Sequence, residues 1–95
     1  MSRASWSSPA QRDLAELDRF YRECDPRAAM RIAEAAVAAG RLLAANPLLG
    51  SLVSERTIRK WRVERTPYLI FYRPEGGGIR ILRLLHHTRD RQQQL

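Results

Sequence analysis

The sequence has little of what usually crosslinks, anchors or exports a small protein. Its single cysteine, Cys24, excludes an internal disulfide, and no cysteine and histidine cluster has the spacing of a zinc site. No apolar run approaches the roughly 20 residues that cross a bilayer, and the first residues lack the apolar segment of a signal peptide. We therefore expect a cytoplasmic protein without metal, cofactor or membrane contact, and Cys24 as a small buried helical residue.

Groups that could carry catalysis are also scarce. Lys60 is the only lysine, and no phosphate-binding loop or nucleophile elbow is present. Arginine is a poor general base because it keeps its proton in proteins. An RNA-cleaving arrangement would have to combine His86 with Arg83 or Arg89. A structural role for His86 at the end of a strand is the preferred interpretation, so no catalytic residue is assigned.

Positive charge is what the sequence has in excess, and it is unevenly distributed. The net charge is +7, and residues 51–95 hold ten of the 17 basic residues but only four of the 10 acidic ones. A basic surface predicts an anionic partner, either a nucleic acid or an acidic protein segment. The candidate anion-binding residues are Arg59, Arg62, Arg73, Arg83 and Arg89.

Two helices are predicted in the first half, after a short edge strand around Trp6. Ser8 has the character of an N-cap, followed by a proline in the first turn and a glutamine that completes a capping box. Apolar residues then recur at three- and four-residue steps as far as Cys24. A second, alanine-rich helix starts at Asp25 and ends at Asn46, because the residue before a proline is disfavoured in a helix. The pattern predicts an antiparallel helical hairpin.

The second half has the period of β-strands. Residues 57–65, 68–73 and 79–86 are predicted strands, and residues 74–78 form a proline- and glycine-rich turn. The fold class is therefore α+β: an N-terminal edge strand, a two-helix antiparallel hairpin and a three-stranded antiparallel sheet. We assign residues 1–90 to a single domain and residues 91–95 to a polar C-terminal tail.

The strands on either side of the glycine turn are apolar on both faces. Simple alternation places Leu82 and Leu84 on one face of the last strand and Ile79, Ile81 and Leu85 on the other. One helical hairpin covers only one face of such a sheet. The second face is either covered by the chain's own loops or exposed as a partner-binding surface, and the latter is our expectation.

Several local motifs, in this order and spacing, resemble the RelE/ParE toxin superfamily. They are Trp6-Ser7 with Ala10 and Asp13-Leu14, Ala28-Ala29, and residues 46–50, 57–59, 67–73 and 81–90. Pro67-Tyr68 and the His86-x-x-Arg89-Asp90 motif are more similar to the ParE branch than to the RelE branch. Lys60 departs from the ParE pattern, in which an acidic residue commonly follows the arginine that corresponds to Arg59.

The resemblance implies a type II toxin–antitoxin toxin of the plasmid-stabilising, growth-arresting kind. Such a toxin forms a hetero-oligomer with a cognate, ParD-like antitoxin that wraps around it with an acidic C-terminal segment. ParE-like members inhibit DNA gyrase, and a nucleic-acid contact is conceivable. The alternatives are a RelE-like ribosome-dependent mRNA endonuclease and a non-toxic relic that only binds antitoxin. The expected apolar anchors for the antitoxin are Trp61, Leu69, Phe71, Leu82 and Leu84.

Overall fold

The computed structural model describes residues 2–53 and 57–89 and shows a helical hairpin packed on one mixed sheet. The predicted tail, residues 91–95, and Asp90 lie outside the described residues. In chain order the elements are β1 (Ala4–Trp6), α1 (Ser8–Cys24), α2 (Pro26–Ala45), β2 (Ser51–Leu52), β3 (Arg59–Arg62), β4 (Tyr68–Glu75), β5 (Gly78–His86) and a 3₁₀ turn (His87–Arg89). The predicted α+β class is confirmed.

The first helix begins one residue earlier than predicted. Ser7, not Ser8, is the N-cap, and its hydroxyl accepts the Ala10 N–H at 3.1 Å while donating to the Leu82 carbonyl at 2.9 Å. The Gln11 side chain does not close a capping box; it donates to the Trp6 carbonyl at 2.9 Å. The Ser7 hydroxyl therefore ties the start of α1 to β5 as well as capping the helix.

The second helix has the predicted ends. The Asp25 carboxylate accepts the Ala28 N–H at 3.2 Å as N-cap, and Pro26 follows it in the first turn. At the other end Asn46 donates its backbone N–H to the Leu42 and Leu43 carbonyls, and Pro47 stops the helix. Alanine and glycine on α2 let it pack closely against α1 and β5.

The sheet has five strands in the order β1-β5-β4-β3-β2, rather than an edge strand and three more. Strands β2 to β5 pair antiparallel, and β1 pairs parallel with β5 through Ala4–Ile79 and Trp6–Ile81. The additional strand β2 has two residues and ordinary loop composition, so alternation could not reveal it. It is a strand because it pairs antiparallel with β3.

A bulge in β5 changes which residues share a face. Phe71 pairs with Arg83 and Tyr72 with Ile81, so Leu82 is an extra residue in β5. An inserted residue shifts the alternation by one position. The prediction that Leu84 lies opposite Ile79 and Ile81 is therefore wrong: all three pack in the core between sheet and helices.

The core between the sheet and the hairpin is fully apolar at its centre. Ala10, Ala36, Leu43, Ile70 and Ile81 have no exposed surface. The prediction that Cys24 is buried is wrong, because it is exposed at the end of α1. Within the described ranges no helix is long and apolar enough to span a bilayer, and no cluster of side chains could hold a metal ion.

Candidate functional site

The outer face of the sheet, which points away from the helices, is not an exposed apolar surface. Leu69, Phe71 and Leu85 form a small cluster on it with relative exposures of 8%, 0% and 3%, and Val53 packs against them. By cross-strand register, Lys60 and Arg83 flank Phe71, and long basic side chains cover apolar neighbours with their aliphatic stems. The expectation of an exposed second apolar face is therefore wrong.

Five basic residues share this face, and we call them the outer basic face. Directly opposite residues on neighbouring strands point to the same side of a sheet. The registers Lys60–Phe71–Arg83, Arg62–Leu69–Leu85 and Arg73–Arg80 therefore put a basic side chain in each row. The members are Lys60, Arg62, Arg73, Arg80 and Arg83.

One of these arginines is held by a carboxylate of α1. Arg83 donates from Nε and Nη2 to the two Asp13 oxygens at 2.7 and 3.0 Å, and Asp13 also accepts the Leu84 N–H at 3.0 Å. This bond with Asp13 raises the pKa of Arg83, so its charge is fixed. The strand β1 pairs with β5 only at residues 79–81, so Asp13 supplies the acceptor that the Leu84 N–H would otherwise lack on this edge.

Arg59, another predicted anion ligand, is used inside the fold. It lies on the helix-facing side of β3 opposite Tyr72, and its Nη1 donates to the Leu48 and Gly50 carbonyls at 3.2 and 2.6 Å. Tyr72 completes the same support, because its hydroxyl accepts the Gly50 N–H at 2.9 Å and donates to the Pro47 carbonyl at 2.8 Å. Burial raises the pKa of Tyr72. Both side chains fix the loop after α2.

Two of the hypothetical nuclease residues, His86 and Arg83, do not form a joint site. His86 lies opposite Tyr68 on the helix-facing side of the sheet, with ring centroids 5.4 Å apart, whereas the register turns Arg83 to the outer face and Asp13 holds its guanidinium. Nδ1 of His86 lies 3.3 Å from the Thr88 N–H and 3.0 Å from the Thr88 hydroxyl. Arg89 ends the 3₁₀ turn. His86 thus has the contacts of a strand-end structural residue.

A groove of about 990 Å³ runs between α2 and the β3–β4 connection, and we call it the α2–β3 groove. Three alanines and Leu42 line its helical side, and Leu42 is 44% exposed. Trp61 and Pro67 line the sheet side. Arg31, Arg62 and Arg65 stand at its margins with one acidic residue, Glu64. The groove combines small apolar walls with a mainly basic rim.

The proposed antitoxin anchors separate into two groups. Leu69, Phe71 and Leu84 are at most 8% exposed and pack inside the protein, so a partner cannot reach them in this conformation. Trp61 and Leu82 are partly exposed, and Trp61 lines the α2–β3 groove. Only these two remain candidate anchors.

Several site residues were missed by reasoning from the sequence. Lys60 and Arg80 belong to the outer basic face but were not among the predicted anion-binding residues. For Arg80 a signal was available, because the hairpin around Gly76-Gly77 pairs it with Arg73, which was predicted. Asp13 carried no local signal, since its partner lies 70 residues away. The remaining exposed apolar residues near β2 are Leu48, Leu49 and Leu52.

Comparison with known proteins agrees with this architecture. Residues 4–91 match a family described as "ParE toxin of type II toxin-antitoxin system, parDE". The chain belongs to the ParE toxin family. A solved structure described as "Chromosomal ParDE TA system from P. aeruginosa" superposes with a TM-score of 0.78 at 26% identity, covering 90% of this chain and 96% of that one. No curated protein matches significantly.

Family membership accounts for the order of the elements and for the motifs at both ends of the domain. As a ParE-family toxin of a type II toxin–antitoxin system, the protein is expected to have an antitoxin as partner. The α2–β3 groove and the outer basic face are the two surfaces on which partners of different chemistry could bind.

Proposed function

We propose that this ParE-family toxin inhibits DNA gyrase and is neutralised by a ParD-like antitoxin that occupies the α2–β3 groove. The gyrase assignment is supported by the ParE family match and by the separation of His86 from Arg83, which do not form a joint site for RNA cleavage. The single observation that carries the antitoxin site is the half-buried Trp61, which lines a groove opposite the small alanine side chains of α2.

The groove fits an amphipathic segment with acidic side chains. Apolar residues of the partner would meet Trp61 and Leu42, and its carboxylates would meet Arg31 and Arg65 at the rim. Arg31 already donates from Nη1 to the Arg65 carbonyl at 3.3 Å, so both stand at the same end of the groove. Aromatic and arginine side chains in such positions supply most of the binding energy of protein interfaces.

The antitoxin site is tested by filling the groove. Ala38 is exposed on α2 and lines the groove, so Ala38→Arg will obstruct it without disturbing the core. We expect the affinity for the antitoxin encoded beside the toxin gene, measured by calorimetry, to fall at least 100-fold. Trp61→Ala should cost about 2–4 kcal/mol of binding.

The matched control is Ala15→Arg, which adds the same side chain to an exposed position of α1 outside the groove. It should bind antitoxin as tightly as the wild type. If Ala38→Arg binds antitoxin as tightly as the wild type, the antitoxin covers another surface.

The gyrase assignment is tested by trapping cleaved DNA. Purified toxin, gyrase and supercoiled plasmid are incubated and then denatured, and linear DNA is quantified. Linear DNA that rises with toxin concentration, and that disappears when antitoxin is added first, is the expected result. Absence of linear DNA together with unchanged supercoiling at a clear excess of toxin would refute the assignment.

A further inference from the structure

Three arginines of the outer basic face, Arg62, Arg73 and Arg80, have either no carboxylate partner or only an exposed one among the described residues. In the described part of the chain Arg62 forms no ion pair; its Nε donates to the Thr66 carbonyl at 2.9 Å, which leaves the terminal N–H groups for another acceptor. Arg80 donates from Nη1 only to the neutral Ser5 hydroxyl, at 3.3 Å. Arg73 pairs with Glu75, but both side chains are about half exposed, at 48% and 50%, and such a pair contributes at most about 1 kcal/mol.

These charges are spread too widely for a small anion. Arg62 lies on β3 and Arg80 on β5, with β4 between them. Their partners on β4, Leu69 and Arg73, are four residues apart. Strand spacings of about 4.8 Å and a rise of about 3.4 Å per residue separate their Cα atoms by roughly 16 Å. Arg73 lies on β4 directly opposite Arg80. A ligand that meets all of them must carry several negative charges along a polymer.

The same face offers little apolar contact to a protein partner. Its central residues, Leu69, Phe71 and Leu85, are buried, and Val53 packs against them. Protein interfaces depend on apolar and aromatic anchors, and this chain presents such an anchor in the α2–β3 groove. Nucleic-acid phosphates, in contrast, require only cations and hydrogen-bond donors.

We propose that the outer basic face, through Arg62, Arg73 and Arg80, binds the phosphate backbone of DNA without sequence preference. This inference goes beyond inhibition of gyrase, because DNA binding by the toxin alone does not require the enzyme. It would give the toxin a second point of attachment at a target that itself holds DNA. Arg83 is held by Asp13 and is not one of the proposed phosphate-binding residues.

The test is a salt titration of DNA binding by the purified toxin. The anisotropy of a labelled mixed-sequence DNA duplex is measured between 50 and 200 mM salt, and wild-type toxin is expected to bind more weakly as salt rises. Each lost phosphate contact makes the slope of log K against log salt shallower by about 0.9. Arg62→Gln/Arg80→Gln should therefore lower the slope by roughly 1.8 and the affinity at 50 mM at least tenfold.

A control with the same loss of charge distinguishes a site from general attraction. Arg19→Gln/Arg41→Gln removes two exposed arginines from α1 and α2, on the opposite side of the sheet. This variant should keep the wild-type slope. If the two double variants lose affinity equally, only net charge matters and the proposal is wrong. Circular dichroism checks folding, and if the face variant unfolds, Arg62→Gln alone should lower the slope by about 0.9.

Two further outcomes would overturn the inference. The first is the absence of measurable binding at 50 mM salt. The second is that polyglutamate of equal charge displaces the DNA and binds more tightly than the DNA does. If Arg62→Gln/Arg80→Gln also weakens binding of polyglutamate, the face fits an acidic protein segment instead. Gyrase is absent from every arm, so failure here leaves the gyrase assignment standing, and failure of that assignment leaves this result standing.

Discussion

Asp13 on α1 and Arg83 on β5 form a two-point ion pair across 70 residues of sequence, with N···O distances of 2.7 and 3.0 Å. The Asp13 side chain is 11% exposed and that of Arg83 30% exposed. The pair is therefore intermediate between surface pairs, worth at most about 1 kcal/mol, and buried pairs, whose disruption costs about 3–5 kcal/mol.

Asp13→Asn should destabilise the protein by about 1–3 kcal/mol, because the amide still accepts the Leu84 N–H but no longer balances the arginine. Urea unfolding followed by circular dichroism measures the change in free energy. Asp18→Asn, which breaks the exposed pair with Arg22, is the control and should change stability by less than about 0.5 kcal/mol. Equal effects of the two substitutions would contradict a structural role for Asp13.

Tyr72 should make the protein lose stability at alkaline pH. Burial raises its pKa in the folded state above the ordinary value of 10.0. The unfolded chain therefore releases the phenol proton first, so the stabilising contribution is present below pH 10 and falls as pH rises through the folded-state pKa. The free energy of unfolding should drop by up to about 1.4 kcal/mol per pH unit in that window.

Tyr72→Phe checks this assignment in two ways. It removes the partner of the Gly50 N–H and the Pro47 carbonyl, which should cost about 1–3 kcal/mol at pH 7. It should also flatten the decline above pH 10. Tyr21→Phe, at a half-buried position, is the comparison; if both variants keep the wild-type pH profile, Tyr72 is not the titrating group.

Gly50 is required by close approach rather than by backbone conformation. A Cβ there would lie 2.7 Å from the Lys60 carbonyl oxygen and 2.7 Å from the Tyr72 hydroxyl. Gly50→Ala should therefore destabilise the protein by about 1–3 kcal/mol through overpacking. Gly76→Asn is the contrasting case and should cost less. Its φ of +53° lies in a region that asparagine tolerates, and no atom lies within 4 Å of an added Cβ. Thermal melts in which Gly76→Asn is the more damaging change would refute the argument.

His86→Ala should leave toxicity intact. The ring contacts Tyr68 and stacks on His87 with centroids 4.7 Å apart, so its loss should cost about 0.5–1.5 kcal/mol of stability. Growth arrest on expression and primer extension on cellular messages are the measurements. Discrete codon-linked breaks that occur with the wild type and vanish with His86→Ala would establish the nuclease alternative instead.

Local signals predicted the helices and the hairpin of β4 and β5. Asp25 and Asn46 are caps that act within four residues, and Gly76 and Gly77 adopt positive φ in the turn. β2 and the bulge at Leu82 depend on pairing between distant segments, so alternation alone could not place them. The same dependence misplaced Leu84, which was assigned to a partner surface and lies in the core.

The candidate site was less predictable than the fold because an arginine in a sequence does not show its partner. Arg59 supports the loop after α2, and Arg83 is held by Asp13. Arg62 and Arg73 lie on the outer basic face, and anion binding by them stays a prediction. The outer apolar residues were expected to need a partner, yet they are covered within the chain. Trp61 was proposed as an antitoxin anchor, which stays a prediction, and it lines the α2–β3 groove on the helix-facing side of the sheet.

The most direct test combines inhibition and neutralisation in one gyrase supercoiling titration. Wild-type toxin should reduce supercoiling in proportion to its concentration, and an equimolar amount of antitoxin should restore it. Ala38→Arg toxin should inhibit as strongly as the wild type and resist rescue, because its groove is obstructed. Supercoiling that wild-type toxin leaves unchanged would contradict the gyrase assignment, and full rescue of Ala38→Arg would contradict the antitoxin site.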